Sequence, residues 1–379
     1  MTPIGMREMQ MTGSTPNRAP PPCVVKVDPE EPDKGVLDRA GSVIRRGGLV
    51  AFPTETVYGL GADAFNAEAA KRVFEVKGRP PDNPLIIHVA SREDLWLVAS
   101  SVPEEAWRLV ERVWPGPLTI VVPRDPKVPK IVTGGLDTVA VRSPAHPVAL
   151  GLIEASGTPI AAPSANRSGR PSPTTAEHVV EDLDCKVDLI LDAGETFMGV
   201  ESTIIDFTRD PPVLLRPGPY PIDEVEKILG VKVQVPIQAR GLMEAERPLA
   251  PGMKYRHYAP ETPVVLVDCP SSSLEDQAKA LVSAAVNLSS RGLKVAIGGP
   301  SEVLHLAMKL SPPATRWRAV IDLGPVGRPE VAARRLFALL RSLDKMDVDV
   351  AVFAPVPERG IGLAVMNRLR KAASKRVSC

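Results

Sequence analysis

Two cations stand two residues apart in a segment stiffened by prolines. Lys77 and Arg79 belong to the sequence Lys-Gly-Arg-Pro-Pro-Asp-Asn-Pro at 77–84, which precedes the apolar run 85–89. Proline fixes φ and restricts the residue before it, so both side chains are presented from a shaped loop. Fixed cations bind phosphates or carboxylates, and arginine adds a planar fork for bidentate contact. The same pattern is typical of a solvated basic turn, so the assignment depends on other residues.

Polar residues also accompany two other strand-like runs. Residues 53–60, Pro-Thr-Glu-Thr-Val-Tyr-Gly-Leu, directly follow the apolar run 49–52. Hydroxyls there, such as that of Thr56, bind a small polar ligand or stabilise a turn. Arg142 ends the run 138–141. A cation at that place requires a carboxylate, which comes either from the protein or from a ligand.

A histidine and a segment of small residues complete the candidate chemistry. His88 has apolar neighbours, where it is either a hydrogen-bonded core residue or part of a site. The segment 161–169 reads Ala-Ala-Pro-Ser-Ala-Asn-Arg-Ser-Gly. Small residues such as Ala162 let the backbone approach a ligand, while Ser164 and Asn166 supply neutral donors for phosphate or ribose oxygens. The segment is equally typical of a loop that caps the next helix.

Short strands and helices alternate irregularly in the first part of the chain. This pattern predicts an α/β domain around a twisted, mixed sheet over about residues 24–230. Residues 1–23 lack an apolar segment and are predicted to be a disordered leader, or to follow a start site placed too far upstream. The predicted strands are 24–27, 49–52, 85–89, 118–122, 138–142, 159–162, 189–191, 202–206 and 213–215. The predicted helices are 34–46, 67–76, 104–113, 147–155, 175–182 and 222–229.

The pattern breaks at 231–262, where prolines and glycines interrupt it, and becomes regular again at 263–379. The first segment is predicted to be a linker, either a strap packed between domains or a lid over a catalytic mouth. In the second, strands at 264–267, 295–297, 319–323 and 350–353 alternate with helices at 274–291, 302–308, 329–342 and 362–375. Four such alternations predict a small Rossmann-like domain with a parallel sheet. No G-x-G-x-x-G motif follows its first strand, which argues against a dinucleotide site.

Composition excludes several classes of protein. A chain of 379 residues with 44% hydrophobic and 24% charged residues is long enough for two globular domains. A net charge of +1 argues against a broad electrostatic grip on nucleic acid. No apolar run is long enough to span a membrane. The four cysteines have neither metal-like nor disulfide-like spacing, which predicts a reducing, cytoplasmic location: Cys23, Cys185, Cys269 and Cys379. Walker A, H-E-x-x-H, G-x-S-x-G and C-x-x-C motifs do not occur.

Taken together, the motifs resemble one family. K-G-R-P-x-x-N-P at 77–84 with His88 beyond it, P-T-E-T-V-Y-G-L at 53–60, A-P-S-A-N-x-S-G at 162–169 and E-S-T-I-I-D at 201–206 resemble the YrdC-like fold of L-threonylcarbamoyladenylate synthases. The segment 251–260, Pro-Gly-Met-Lys-Tyr-Arg-His-Tyr-Ala-Pro, and the Rossmann-like part resemble the two-domain form of that enzyme. The resemblance runs from about residue 24 to the carboxyl terminus.

The resemblance implies a reaction and a set of site residues. L-threonine, bicarbonate and ATP would give threonylcarbamoyl-AMP and pyrophosphate, for N6-threonylcarbamoyladenosine in tRNA. Lys77 and Arg79 would be the catalytic pair. By the same resemblance, the residues around L-threonine would be Thr56, His88, Arg142, Ala162 and Ser202. Those around ATP would be Lys77, Arg79, Asn83, Thr138, Ser164, Asn166, Ser172, Arg216 and Tyr255.

The resemblance also implies partners, and the residues leave alternatives open. Mg²⁺ would arrive with ATP, no metal would be ligated by protein, and other proteins would transfer the product to tRNA; direct contact with tRNA stays open. One alternative is a non-catalytic protein that binds double-stranded RNA or tRNA. Its basic patch would consist of Lys71, Arg72, Lys77, Arg79, Arg167 and Arg170. Against it stand the near-neutral charge and the lack of an RNA-binding motif. The other is a carbamoyltransferase related to hydrogenase maturation factors, which carry zinc-type cysteine pairs that this sequence lacks.

Overall fold

Two separate β-sheets organise the chain in the computed structural model, which describes residues 23–244, 248–253, 257–269, 272–313 and 315–378. The strands of the first sheet are β1 Val24–Lys26, β2 Val50–Phe52, β3 Gly59–Asp63, β4 Ile86–His88, β5 Leu118–Pro123, β6 Thr138–Arg142, β7 Ile160–Ala162, β8 Leu189–Asp192, β9 Thr203–Asp206 and β10 Val213–Arg216. The strand order is β1-β8-β2-β3-β7-β4-β6-β5-β9-β10. Parallel pairs such as β4–β6 and antiparallel pairs such as β4–β7 both occur, so the predicted mixed sheet is confirmed.

Six α-helices accompany the first sheet. They are α1 Lys34–Arg45, α2 Ala67–Lys77, α3 Glu104–Val113, α4 Pro147–Ser156, α5 Ala176–Leu183 and α6 Ile222–Leu229. Short 3-10 helices lie at Glu93–Leu97 and Asp184–Lys186. Apolar side chains pack on both faces of the sheet. Successive residues of a strand point to opposite faces, and the neighbours Ala51 and Phe52 of β2 belong to two different buried clusters.

The second sheet has five strands and is parallel throughout. Its strands are β11 Val264–Val267, β12 Val295–Gly299, β13 Ala319–Asp322, β14 Val350–Phe353 and β15 Lys375–Val377, and its helices are α7 Leu274–Ser289, α8 Ser301–Leu310, α9 Pro329–Leu343 and α10 Gly362–Ala372. The order β13-β12-β14-β11-β15 places helical crossovers between parallel strands, as the alternation predicted.

The core of the second domain continues into the first. Leu336, Phe337 and Leu369 belong to the same buried cluster as Val57 and Tyr258, which come from the first domain and from the connecting segment. Between α6 and β11 the described residues form neither helix nor strand, apart from an isolated bridge between Gln234 and Val213. The connecting segment is therefore fixed by packing and not by secondary structure of its own.

Two expectations about helices and strands need correction. Strand β3 was not predicted, because Gly59 and Gly61 disfavour a strand. They are accommodated because a side chain at either position would contact the Phe52 ring. The predicted helix 362–375 ends at Ala372, since the next residues pair with β11 as the edge strand β15.

The cysteine expectation is wrong as well. Cys23 and Cys269 are each disulfide-bonded. Spacing along the sequence carries no information here, because a disulfide requires only that the fold bring two Cα atoms within about 7 Å. Within the described ranges, no helix combines the length and the hydropathy of a membrane span. The predicted leader lies outside the described residues, apart from Cys23.

Candidate functional site

A polar cleft opens between the first sheet and the connecting segment. It encloses about 510 Å³, part of which is open to solvent. Its walls come from the turn after β2, the ends of β4, β6 and β7, and the segment around β9 and β10. The lining residues are Thr54, Thr56, Val57, Tyr58, Gly59, Arg79, Ile86, His88, Arg142, Ala162, Pro163, Ser164, Glu201, Ser202, Arg216, Pro251, Gly252, His257 and Tyr258.

Helix α2 delivers the two cations of the proline-rich loop to different places. Asn66 caps its start by accepting from the Ala69 amide, and Gly78 ends it in the left-handed conformation at φ 59°. Arg79 then points into the cleft, and its Nε and one terminal nitrogen donate to the main-chain carbonyls of Asn83 and Pro84 at 3.2 and 2.9 Å. Burial lowers the pKa of the Arg79 guanidinium to about 10, so it stays charged at neutral pH.

Lys77 lies beside the cleft and not on its wall. Its side chain is 1% exposed, and its amine donates to the main-chain carbonyls of Ser164 and Asn166. Burial, and then the nearby charge of Arg79, hold the pKa of this amine well below its usual value. Lys77 therefore fixes the 164–166 loop from beneath, while Arg79 faces the cavity.

The end of β6 forms a second cationic corner. The Arg142 guanidinium donates to the main-chain carbonyl of Gly116 at 3.1 Å and to Thr56 Oγ1 at 2.9 Å, and lies 2.5 Å from the buried carboxylate of Glu55. Two of the five N–H groups of Arg142 thus have acceptors, and the terminal nitrogen beside Glu55, which carries two more, has no hydrogen-bond acceptor among the described residues. Thr54 Oγ1 accepts from the amides of Thr56 and Val57, so this segment is also the hydroxyl-stabilised turn that the sequence allowed.

A third arginine faces the cleft from the end of β10. Arg216 donates through Nε to the carbonyl of Ser202 at 3.0 Å and through a terminal nitrogen to Ser202 Oγ at 3.1 Å. The same hydroxyl lies 2.8 Å from Thr119 Oγ1. Burial lowers the pKa of Arg216. Three buried guanidiniums thus surround one cavity, which is an arrangement for a ligand with several negative charges.

The structure places most, but not all, of the predicted site residues on the wall. Eight of the predicted residues line the cleft: Thr56, Arg79, His88, Arg142, Ala162, Ser164, Ser202 and Arg216. Lys77, Asn83, Asn166 and Ser172 lie behind it as buried polar residues. Thr138 begins β6, about 13 Å along the strand from Arg142, and is not on the wall. Tyr255 lies outside the described residues.

Several cleft residues were not predicted as site residues. Glu201 is the one carboxylate on the lining, and its oxygens accept from Ser172 Oγ at 2.5 Å and from Arg368 Nε at 3.0 Å. Burial alone would raise the pKa of Glu201, but the guanidiniums of Arg368 and Arg216 outweigh it and lower the pKa. Tyr258, from the connecting segment, packs against His257 at 4.4 Å between ring centroids. Glu201 belongs to the same local motif as Ser202, and that motif was the signal that could have identified it, whereas nothing near Glu201 in the sequence indicated that its partner is Arg368.

The two histidines of the cleft make a testable contribution to acid stability. Burial lowers the pKa of both His88 and His257 from 6.5 to about 3, so both rings are neutral near pH 7. Below pH 6.5 both histidines are protonated in the unfolded state but stay neutral in the folded state. Protonation therefore stabilises the unfolded state, and the free energy of unfolding falls as the pH falls. We expect a slope of up to about 1.4 kcal/mol per pH unit for each histidine.

Urea unfolding between pH 7.5 and pH 5 measures this slope. His88→Gln removes one of the two cleft groups and reduces the slope, and His305→Gln, at an exposed position of α8 outside the cleft, is the matched control. Equal slopes for the wild type and His88→Gln would contradict the neutral state of His88.

The cleft does not fit a metal held by protein side chains. No group of three or more His, Cys, Asp or Glu able to hold an ion occurs among the described residues. Glu201 has both carboxylate oxygens engaged by Ser172 and Arg368. The donor set of this wall is cationic and hydroxylic, which suits an anion and not a divalent cation.

Comparisons with known proteins cover nearly the whole described chain. A family model described as telomere recombination matches residues 42–218, and a second, described as the C-terminal domain of threonylcarbamoyl-AMP synthase, matches residues 221–374. Threonylcarbamoyl-AMP synthase of Pyrococcus abyssi is 49% identical over 344 residues, which cover 89% of this chain and 94% of that protein. The enzyme of the same name from Bacillus subtilis is 44% identical, with 90% and 94% covered.

A shorter relative and a solved structure complete the comparison. A putative threonylcarbamoyl-AMP synthase of Mycobacterium tuberculosis is 39% identical over 204 residues, which cover 54% of this chain and 93% of that protein. The crystal structure of P. abyssi Sua5 complexed with L-threonine is similar to this fold with a TM-score of 0.85 and 48% identity, and the match covers 94% of this chain and 99% of that one. With both domains matched in sequence and in fold, the chain belongs to the threonylcarbamoyl-AMP synthase family.

Proposed function

We propose that the cleft joins L-threonine, bicarbonate and ATP into L-threonylcarbamoyl-AMP and releases pyrophosphate. The protein is a nucleotidyltransferase-type enzyme, as its curated relatives are. The observation that carries the residue assignment is the pairing of two cationic regions in one cavity. Arg142 with Thr56 forms one, and Arg79 with Arg216 forms the other.

The first region suits the amino acid. The two N–H groups that Arg142 retains are enough for a carboxylate, and Thr56 Oγ1 lies beside them. The neutral ring of His88 and the small side chain of Ala162 are also on the wall, next to the place where a hydroxyl and a methyl group would lie. Ser202 completes the proposed threonine set. Glu55 balances the Arg142 charge when no ligand is present.

The second region suits the triphosphate. Two of the five N–H groups of Arg79 donate to main-chain carbonyls. The other three have no acceptor among the described residues and remain for phosphate oxygens. Ser164 lies on the same wall, and Lys77 holds the 164–166 loop in place. We assign Asn83, Asn166, Ser172, Thr138 and Tyr255 to ATP as well, on the resemblance of their motifs. Mg²⁺ would enter with the nucleotide, since the wall offers no ligands for it.

Charge and position account for the chemistry. The threonine amine and bicarbonate condense to a carbamate and release water. A carbamate oxygen then attacks the α-phosphorus, the bond from the α-phosphorus to the bridging oxygen breaks, and pyrophosphate leaves. Burial lowers the pKa of both histidines on the wall to about 3, which makes them weak bases, so the contribution of this site is alignment of the carbamate and neutralisation of charge on the phosphates. The product is a mixed anhydride that water destroys, which makes exclusion of water part of the function.

The test is an assay with each substrate omitted in turn. With ATP, L-threonine and bicarbonate present, we expect pyrophosphate and a threonine-containing adenylate, and neither product when any one substrate is left out. L-serine in place of L-threonine serves as the matched substrate control. Pyrophosphate release without threonine would overturn the proposal.

The alternative of a non-catalytic RNA-binding surface finds no support in the ion pairs. Arg170 contacts Asp182, Glu261 and Asp344, and Arg167 contacts Glu261. Lys71 and Arg72 pair with Glu75 and Asp188. Most of the cations of the proposed patch are therefore neutralised, and two of them, Lys77 and Arg79, are buried. We propose instead that other proteins pass the threonylcarbamoyl group to tRNA in the cytoplasm, a location that rests on this role and not on the cysteines, since Cys23 and Cys269 are disulfide-bonded.

We propose residues 24–230 as the catalytic unit, 231–262 as a lid and 263–379 as its support. Gly252, on the cleft wall, has φ +83°, and an added Cβ would lie 2.6 Å from the Tyr258 hydroxyl. Gly252→Ala is therefore expected to displace the lid and to shorten the lifetime of the bound adenylate about tenfold or more.

Adenylate decay in the presence of the enzyme, followed by chromatography, measures this effect. Gly327→Ala, at a position with no atom close to the added methyl group, is the matched control. An unchanged lifetime in Gly252→Ala would exclude the lid.

A further inference from the structure

One arginine of the second domain reaches the wall of the cleft. Arg368 lies in the middle of α10 and is completely buried. Its Nε donates to Glu201 Oε2 at 3.0 Å, and its terminal nitrogens donate to the main-chain carbonyls of Pro217 and Glu201 at 2.6 and 3.3 Å. Three of its contacts therefore cross from the second domain to the first.

The same side chain also touches the connecting segment. The guanidinium carbon of Arg368 lies 5.6 Å from the centroid of the Tyr258 ring, within the range of a cation–π contact. Tyr258 and Glu201 both line the cleft. Arg368 thus connects one wall residue of the catalytic domain with one of the proposed lid.

Other ion pairs between the domains do not reach the cleft. Arg341 pairs with Asp182, and Arg334 pairs with Glu195, and neither carboxylate is on the lining. Among the described residues, Arg368–Glu201 is the ion pair by which the second domain contacts a cleft-lining side chain. A role in domain docking alone would not require this arginine to reach the cavity.

We propose that Arg368 is a positioning residue for threonylcarbamoyl-AMP synthesis, which acts by fixing Glu201, and with it Ser202 and Tyr258, against the reacting groups. Ser202 follows Glu201 directly and accepts from Arg216, so a shift of Glu201 moves a contact of the proposed phosphate-binding arginine. The inference rests on the proposed function of the cleft. It adds that the second domain contributes to the geometry of the reaction and not only to stability.

The contact predicts a separation of turnover from binding. Arg368→Lys keeps the positive charge but loses the planar fork, so it cannot hold Glu201 and the Pro217 carbonyl together. Among the described residues Arg368 has no hydrogen bond to Arg79 or Arg142, and it acts on Ser202 and Arg216 only by way of Glu201, so these substrate contacts shift in position but are not lost. We therefore expect kcat to fall about 10- to 100-fold, while KM for ATP and for L-threonine changes less than about threefold.

Arg370→Lys is the matched control. Arg370 lies in the same helix and is similarly buried, but it pairs with Asp268 and Glu358 of its own domain, and its contact with the connecting segment is to the Arg240 carbonyl, outside the cleft lining. We expect its kcat to stay within about twofold of the wild type. Equal kcat values for the Arg368→Lys and Arg370→Lys variants would overturn the proposal.

A double-mutant cycle distinguishes positioning from general loosening. If Arg368 acts through Glu201, the double variant Arg368→Lys/Glu201→Gln loses no more kcat than the more affected single variant. Losses that multiply would overturn the proposal. Calorimetric binding of L-threonine shows whether the cleft is intact. Loss of binding in the Arg368→Lys variant would mean that the contact maintains the fold, and this result would also overturn the proposal. A wild-type enzyme without turnover would instead refute the proposed function.

Discussion

Arg79→Ala is expected to lower the rate of pyrophosphate release by about two to three orders of magnitude. Arg79 is the cleft-lining cation of the proline-rich loop, and three of its N–H groups remain for phosphate oxygens. Removal of one preorganised donor from a site of charge development costs about a hundredfold to a thousandfold in kcat. Single-turnover release of pyrophosphate at saturating ATP measures the effect.

One variant controls for the loss of a buried arginine, and a second tests the support of the same wall. Arg124→Ala removes another arginine that bonds main-chain carbonyls, at a place outside the cleft lining, and is expected to retain turnover. Lys77→Ala is expected to lower turnover to a similar degree as Arg79→Ala, because the 164–166 loop loses its buried anchor. Near wild-type turnover in both Lys77→Ala and Arg79→Ala would refute the phosphate assignment.

Loss of the Arg142 fork is expected to weaken L-threonine binding about a hundredfold or more. A charge-assisted hydrogen bond contributes about 1.5–3 kcal/mol, and Arg142 retains two N–H groups for a carboxylate. Arg142→Ala alone would leave Glu55 as an unpaired buried charge and would destabilise the domain. The informative variant is therefore Arg142→Met combined with Glu55→Gln, which removes both charges.

Isothermal calorimetry with L-threonine in the absence of ATP measures the change. Glu55→Gln alone serves as the control, because it leaves the Arg142 fork in place. We expect this variant to bind L-threonine about as tightly as the wild type, or more tightly, since the guanidinium loses a competitor. Unchanged affinity in the double variant would contradict the assignment of Arg142 to threonine.

Local pattern was sufficient for most of the fold. The bounds of α3, β6 and β14 agree with the predicted ones residue for residue, because each of these segments has a clean helical or strand period. Strand β3 could not be predicted, since its glycines disfavour a strand, and the side chains of Phe52 and Ile160 that pack against them come from other strands. The short edge strand β15 depends on β11, which lies more than a hundred residues earlier.

The site residues that belong to short local motifs could be predicted from the sequence. Thr56, Ser164 and Ser202 belong to local motifs, and all three line the cleft. Partners that arrive from elsewhere in the chain were not predictable. The local pattern around Glu55 predicts a turn, but it does not indicate that Glu55 forms an ion pair with the distant Arg142. Arg368 lies on the same helical face as the apolar residues Ala364 and Val365. Because an arginine is seldom buried without a partner, its position on this face was a signal that Arg368 has a buried partner.

The pairing of Glu201 with Arg368 also limits how the two halves of the chain can be exchanged. The relative from Mycobacterium tuberculosis aligns with 54% of this chain over 93% of its own length, so that protein is little longer than the aligned part. A fragment cut from this chain at the same place would not be its equivalent, because Glu201 would keep a desolvated negative charge without its counterion. A split of the two halves would first need a neutral side chain at Glu201 or a new cation from the catalytic half itself.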